Sequence, residues 1–190
     1  MPSFRMILVV LHLFFGAPSV FSRNEEINGS VNIYGEELHK CDRSTVKDAR
    51  FPTTGFLRDN RCTATAEDAG SHFVCVNLPS AINSKGEIYS PFWTVTGQAF
   101  SPETATRWPL PGPWCICEWA YARMLQSHDE FRNYLNCPAI HAWVIDSYRP
   151  EVPNQLAALR SVCEHCDVIN KGKLNSLVEK CRQVVSVSAY

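Results

Sequence analysis

Phe73-Val74-Cys75-Val76-Asn77-Leu78 packs aromatic and β-branched residues into six positions and is stopped by Pro79-Ser80, so it predicts a β-strand. Upstream, residues 32–62 mix Gly, Pro and charge with isolated apolar residues, which reads as looped structure with short strands. Downstream, residues 79–113 hold six of the twelve prolines and read as mostly loop with a turn at Ser101-Pro102-Glu103. A loop of that length predicts a surface lid or binding loop. Tyr89, Phe92, Trp93, Trp108, Trp114, Trp119 and Trp143 are then candidates to line a ligand surface or to fill the core.

From Trp114 the apolar period lengthens. Trp119, Ala122 and Leu125 or Met124 share one helical face after the start signal Pro111-Gly112-Pro113, predicting a helix over 115–126. Ser127-His128-Asp129-Glu130 has capping-box spacing and predicts a short helix through Phe131 and Leu135. Ile140 to Ile145 reads as a buried strand. Beyond Pro150 and Pro153 come two helical patterns, 154–168 and 174–187, the second presenting Leu174, Leu177, Val178, Cys181, Val184 and Val185 on one face, with a turn at Asn170-Lys171-Gly172. The expected fold is α+β: a small antiparallel sheet, a central helix and a C-terminal helical hairpin, crosslinked by disulfides.

The N-terminus predicts export. Arg5 ends a short positive start, Met6 to Phe15 is almost unbroken apolar sequence, and Gly16, Pro18 and Ser19 interrupt it before the roughly 20 residues a spanning helix needs. Residues 1–22 therefore read as a signal peptide cut after Ser22, residues 23–31 as a polar segment, 32–149 as the cysteine-containing domain and 150–190 as the hairpin extension. Asn28-Gly29-Ser30 makes Asn28 a candidate glycosylation site. Without residues 1–22 the chain has 17 basic and 19 acidic residues and no long basic block, which argues against a nucleic-acid partner. With the signal removed, no second apolar span predicts membrane association, so the expected localisation is extracellular.

Three stretches, Asn32 to Cys41, Thr54-Gly55-Phe56-Leu57-Arg58-Asp59-Asn60-Arg61-Cys62 and Glu67-Asp68-Ala69-Gly70-Ser71-His72-Phe73-Val74-Cys75, together with Trp114-Cys115-Ile116-Cys117, resemble a family of small, mainly bacterial proteins catalogued as a domain of unknown function. The resemblance covers residues 32–122 and implies a domain without supplying an activity. This chain departs from the family at Gly97-Gln98-Ala99-Phe100-Ser101, which replaces a Gly-Asn-Asp-Leu-Ser stretch, and at Gly112-Pro113, where the family carries Asp. Arg61-Cys62 stands where many relatives have a doubled cysteine.

The matched residues that carry chemistry are Asp59, Cys62, His72, Cys75, Cys115 and Cys117. Export favours disulfides among the nine cysteines, Cys41, Cys62, Cys75, Cys115, Cys117, Cys137, Cys163, Cys166 and Cys181, and the odd number leaves at least one unpaired. Two alternatives stand beside this reading. Cys62, His72, Cys75, Cys115 and Cys117 offer zinc four ligands from five. Cys115, expected at a helix N-terminus, is the candidate thiolate nucleophile, with Cys117 beside it and Asp59 and His72 as acid and base. Cys163-Glu164-His165-Cys166 lies late in a helix, where the dipole disfavours thiolate, and predicts a bridge from Cys163 or Cys166 to Cys181 instead. No nucleophile elbow, phosphate-binding glycine loop or His-Glu-x-x-His helix is present. The sequence thus predicts a non-enzymatic binding or structural module without a cofactor, meeting an extracellular protein or small ligand. The alternative is a thiol-based oxidoreductase or metal-thiolate protein centred on Cys115 and Cys117.

Overall fold

Strand β1 (Val74–Leu78) forms where its residue types predict it, and it pairs antiparallel with β4 (Gly112–Ile116) across 33 intervening residues in the register Val74↔Ile116, Cys75↔Cys115, Val76↔Trp114. The computed structural model describes residues 30–98 and 101–186; the expected signal segment 1–22, Asn28 and Val187 lie outside them. The two-residue strands β2 (Ala81–Ile82) and β3 (Ile88–Tyr89) make a separate hairpin. Two single-turn helices follow, α1 (Phe92–Val95) and α2 (Pro102–Ala105). The segment read as mostly loop therefore carries short elements, and Ser101 caps α2 through Thr104 in a reciprocal capping box.

The central helix α3 runs Glu118–Ser127, three residues later than its predicted start. Trp114, Cys115 and Ile116 instead alternate across β4, with Trp114 and Ile116 in the main core and Cys115 on the opposite face. Glu118 at the first helical position suits the dipole better than an earlier start would. Ser127 ends α3, so the expected capping box does not form; His128 precedes a 3₁₀ turn over Asp129–Tyr134 without a side-chain cap. A second 3₁₀ turn spans Cys137–Ala139.

Ile140 to Ile145 is buried as expected, apart from the half-buried Trp143, but is not a strand. His141 makes one isolated bridge to Asn32, after which the chain turns into α4 (Trp143–Ser147). Short, wholly buried apolar runs carry no period that separates the two structures. Helices α5 (Pro153–His165), α6 (Val168–Lys171) and α7 (Asn175–Ser186) follow, and α7 buries Leu177, Val178, Cys181 and Val184. One continuous core joins β1, β4 and α3 to these C-terminal helices, from Ile33 to Val184. Tyr121 fixes α3 to α5 through a 2.8 Å hydrogen bond with Ser161.

Four disulfides crosslink the described residues: Cys41–Cys75, Cys62–Cys115, Cys137–Cys166 and Cys163–Cys181, the last being the bridge expected across the hairpin. Each closes a loop whose lost entropy in the unfolded chain corresponds to about 3–4 kcal/mol. Cys117 is the free cysteine, and it is buried.

Candidate functional site

The aromatic face of the β1–β4 ribbon opens into a cleft. Trp114, Ile116 and Cys117 supply one wall with Cys115 between them, Phe92 and Trp93 of α1 another, and Trp108 and Pro109 a third; Phe51, Arg58, His72 and Gln98 complete it. Its cavity volume is about 170 Å³, below the roughly 300–1,000 Å³ of drug-sized ligand sites and on the order of what a single aromatic ring fills. Its rings are ordered against one another: Trp93 stacks on Trp108 with centroids 5.0 Å apart, and Trp114 meets Trp93 edge-on at 6.4 Å. Trp93 Nε1–H is buried without a hydrogen-bond partner among the described residues, which leaves a donor unsatisfied in the cleft lining.

Two arginines lie over Trp114. Arg43, fully buried, sits 4.9 Å from the ring centroid and donates to the carbonyls of Phe51 (3.1 Å), Leu110 (3.1 Å) and Pro113 (2.9 Å) and to Asp48 (3.4 Å). Burial pushes its pKa down, opposed by the Asp48 carboxylate. Burial alone would raise Asp48, but the N–H groups of Leu110, Phe51 and Arg50, with Arg43, hold it below the usual carboxylate value. The pair is a structural clamp that ties residues 43–51 to the start of β4.

Arg58 is different. Its guanidinium lies 5.8 Å from the Trp114 centroid, and among the described residues it has no carboxylate and no hydrogen-bond acceptor. The backbone puts it there at a cost: Arg58 and Asn60 both hold left-handed conformations, φ 59° and 62°, which disfavour residues with a Cβ. The loop is tied shut by Arg58 N–H to Gly55 O, Asn60 N–H to Thr54 O and Thr54 N–H to Asn60 Oδ1. Gly55, at φ 84°, is required because a Cβ would collide with the Arg61 carbonyl.

His72 lies on the same cleft and leans on a buried carboxylate. Its Nδ1 is 2.7 Å from Asp68 Oδ1, while Asp68 also accepts the N–H groups of His72 (2.8 Å) and Gly70 (3.1 Å). The Asp68 side chain is 1% exposed and that of His72 36%. Asp68 therefore holds the proton-bearing Nδ1 and orients the ring. Gly70 permits this arrangement, since a Cβ there would strike the imidazole.

Cys117 joins His72 in the lining, at the residue before α3, with Glu118 N–H bonded to Ser71 O at 3.1 Å. Its thiol is pushed up to about 11, chiefly by burial and then by the Asp68 carboxylate. At neutral pH it is a neutral thiol.

The sequence-derived candidates separate accordingly. Cys115 lies within a strand rather than at a helix N-terminus, and its sulfur is bonded to Cys62, so the expected thiolate activation has no basis in this state. Asp59 is exposed and accepts the Arg61 N–H at 3.0 Å, holding the loop rather than facing His72. The expected zinc set is not brought together: Cys62, Cys75 and Cys115 form one cluster with Cys41, whereas Cys117 belongs to the main core and His72 to Asp68. Trp93 and Trp108 do line a cleft, while Trp119 is 45% exposed outside it.

Residues 31–84 match the model of a family described as an uncharacterized protein conserved in bacteria (DUF2237). The family match therefore carries the clamp pair Arg43 and Asp48, the loop with Arg58, the Asp68–His72 pair, and Cys41, Cys62 and Cys75. It ends before Phe92, Trp93, Gln98, Trp108, Pro109 and Trp114–Cys117, which form the rest of the cleft. No curated protein matches the chain.

Sequence reasoning missed Arg43, Arg58 and Asp68 as site residues. Asp68 had a usable signal, a carboxylate four residues before His72 in a Gly-containing turn. The two arginines had none, because what distinguishes them is which carbonyls and rings lie beside them.

Proposed function

We propose that this is an exported, disulfide-stapled binding module whose cleft takes a small planar ligand carrying an acidic group. The observation that carries the reading is Arg58: an exposed guanidinium without an acidic partner among the described residues, 5.8 Å from the Trp114 ring and in the lining of an aromatic cleft. Aromatic walls favour a flat apolar body, and a guanidinium is the side chain best matched to a carboxylate or phosphate. The His72 imidazole adds a polar group to the same lining. Export is supported by the signal-like residues 1–22 and by four disulfides. Among the described residues no helix is long and apolar enough to cross a membrane. An export route also presents Asn28 for glycosylation.

The thiol-based alternative has less support. Cys115 is occupied by Cys62, and Cys117 is protonated at neutral pH with no second free cysteine to resolve a mixed disulfide among the described residues.

Titration with benzoate and naphthoate, followed through the tryptophan indole N–H resonances, tests the binding reading, with benzylamine as the charge-reversed control. The carboxylates should shift the Trp93 signal saturably, and Arg58→Ala should weaken them about tenfold or more, as expected for a lost charged hydrogen bond. No saturable shift, or equal binding by Arg58→Ala, refutes it.

A further inference from the structure

The face of the ribbon turned away from the cleft holds a second buried cluster: Cys41, Cys62, Cys75 and Cys115, closed by Ala139. These four cysteines belong to two different disulfides, yet the sulfurs of Cys41, Cys62 and Cys75 all lie within 4.8 Å of one another, and Cys115 is bonded to Cys62. The register causes the crowding. Cys75 and Cys115 stand directly opposite on β1 and β4, and Thr54 and Asn60 bring the cysteine-bearing loops onto them: Cys115 N–H donates to Thr54 Oγ1 at 2.9 Å, and Cys41 N–H to Asn60 O at 2.7 Å.

Four thiolates around zinc, at about 2.3 Å from the metal, lie roughly 3.8 Å apart in a tetrahedron. Drawing Cys41, Cys62 and Cys75 in from a span of at most 4.8 Å needs about 1 Å, and the reduced pairs Cys41/Cys75 and Cys62/Cys115 open from bonding distance by roughly 1.7 Å, movements of the size that side-chain rotation supplies. We infer that Cys41, Cys62, Cys75 and Cys115 form a redox-gated site: two disulfides when oxidised, a four-cysteine site for Zn²⁺ or a similar thiophilic divalent cation when reduced. The two steps balance. Each disulfide takes two electrons and two protons from a dithiol, which leaves as its own cyclic disulfide. Zn²⁺ then displaces four thiol protons and leaves a complex of charge 2−. Lys40 and Arg61 immediately precede two of the four ligands and place cationic side chains along that segment. The set differs from the one the sequence suggested: Cys41 enters, and His72 and Cys117 stay on the other face. Spacings of 34 and 53 residues within the two pairs match no short metal motif, so only the fold reveals the convergence. This inference is independent of what occupies the cleft.

The test uses the full secreted chain, reduced anaerobically with a dithiol, desalted, and titrated with Co²⁺ and then Zn²⁺. One equivalent of Co²⁺ should bind with the charge-transfer and visible bands of a tetrahedral thiolate site and be displaced by Zn²⁺, while unreduced chain binds none. In wild-type protein, alkylation mapped by mass spectrometry should show Zn²⁺ protecting Cys41, Cys62, Cys75 and Cys115 and leaving the reduced Cys137, Cys163, Cys166 and Cys181 labelled. A Cys137→Ser, Cys163→Ser, Cys166→Ser and Cys181→Ser variant should keep the cobalt spectrum, and Cys41→Ser should lose it. A reduced chain that takes up no metal, folded or unfolded, overturns the proposal, as does protection that maps to the C-terminal cysteines.

Discussion

The two faces of the β1–β4 ribbon are built from the same ten residues and held by opposite means. One face is fastened covalently, through Cys75 and Cys115, to upstream segments that carry Cys41 and Cys62 at 34 and 53 residues' separation from their partners. The other is held by ring packing and the Arg43 clamp, and it is this face that opens into a cleft. Alternation along a strand is enough to sort the chemistry: sulfur at Cys75 and Cys115 goes one way, Val74, Val76, Trp114 and Ile116 the other. Covalent fastening behind leaves the aromatic side free to present unsatisfied groups without the ribbon coming apart.

The sharpest way to break this division of labour is to remove a bond from the fastened face. Cys62→Ala with Cys115→Ala should lower unfolding free energy by about 4 kcal/mol, from the entropy of the released loop. Urea denaturation under non-reducing conditions measures it, and a loss below about 1 kcal/mol would mean that ring packing alone holds the ribbon. On the aromatic face, Arg43→Met should cost about 3 kcal/mol, because Asp48 loses its buried partner and three carbonyls lose a donor. The same denaturation series reads it, and near-neutral stability would show that the methionine packs as well as the clamp binds.

The smallest effect distinguishes the one cysteine sorted to the aromatic side. Cys117 has its pKa raised to about 11 in the folded chain, so the unfolded thiol ionises first as pH rises. Its contribution to stability is complete below about pH 9 and should fade between about pH 9 and pH 11, by about 2 kcal/mol in all. Cys117→Ala should remove that slope. Parallel stability curves for the two proteins over this window would show that the thiol ionises as easily folded as unfolded.

The residues that were legible in sequence are those whose identity repeats with a structural period. Val74–Leu78 announced itself by β-branching, and α7 by Leu177, Val178, Cys181 and Val184, which also pointed to the Cys163–Cys181 bridge. Cys115-Ile116 reads as helical in sequence but is strand, because it runs directly towards the apolar face of α3 and a boundary inside a continuous apolar run has no local marker. Ile140 to Ile145 failed for the same reason. The site was legible only in parts: His72 and the tryptophans were visible as residue types, but Arg58 depends on two left-handed residues that no pattern predicts, and the zinc and nucleophile sets assumed that motif cysteines sit together. Pairing across the ribbon separated Cys117 from the rest.

The register of Cys75 against Cys115 also sets an order of events. Cys75 O bonds to Asn136 N–H and Cys115 N–H to Thr54, so the two cysteines occupy a position where neighbouring strands exchange no hydrogen bonds and their side chains lie closest. An oxidant that arrives when only the ribbon has formed meets two adjacent thiols and joins the wrong pair. Without a later thiol–disulfide exchange, native pairing requires that residues 41–62 already lie across the ribbon when the first bond closes. The N-terminal segment thus acts as a template for oxidation, and maturation of this chain is a race between docking and chemistry.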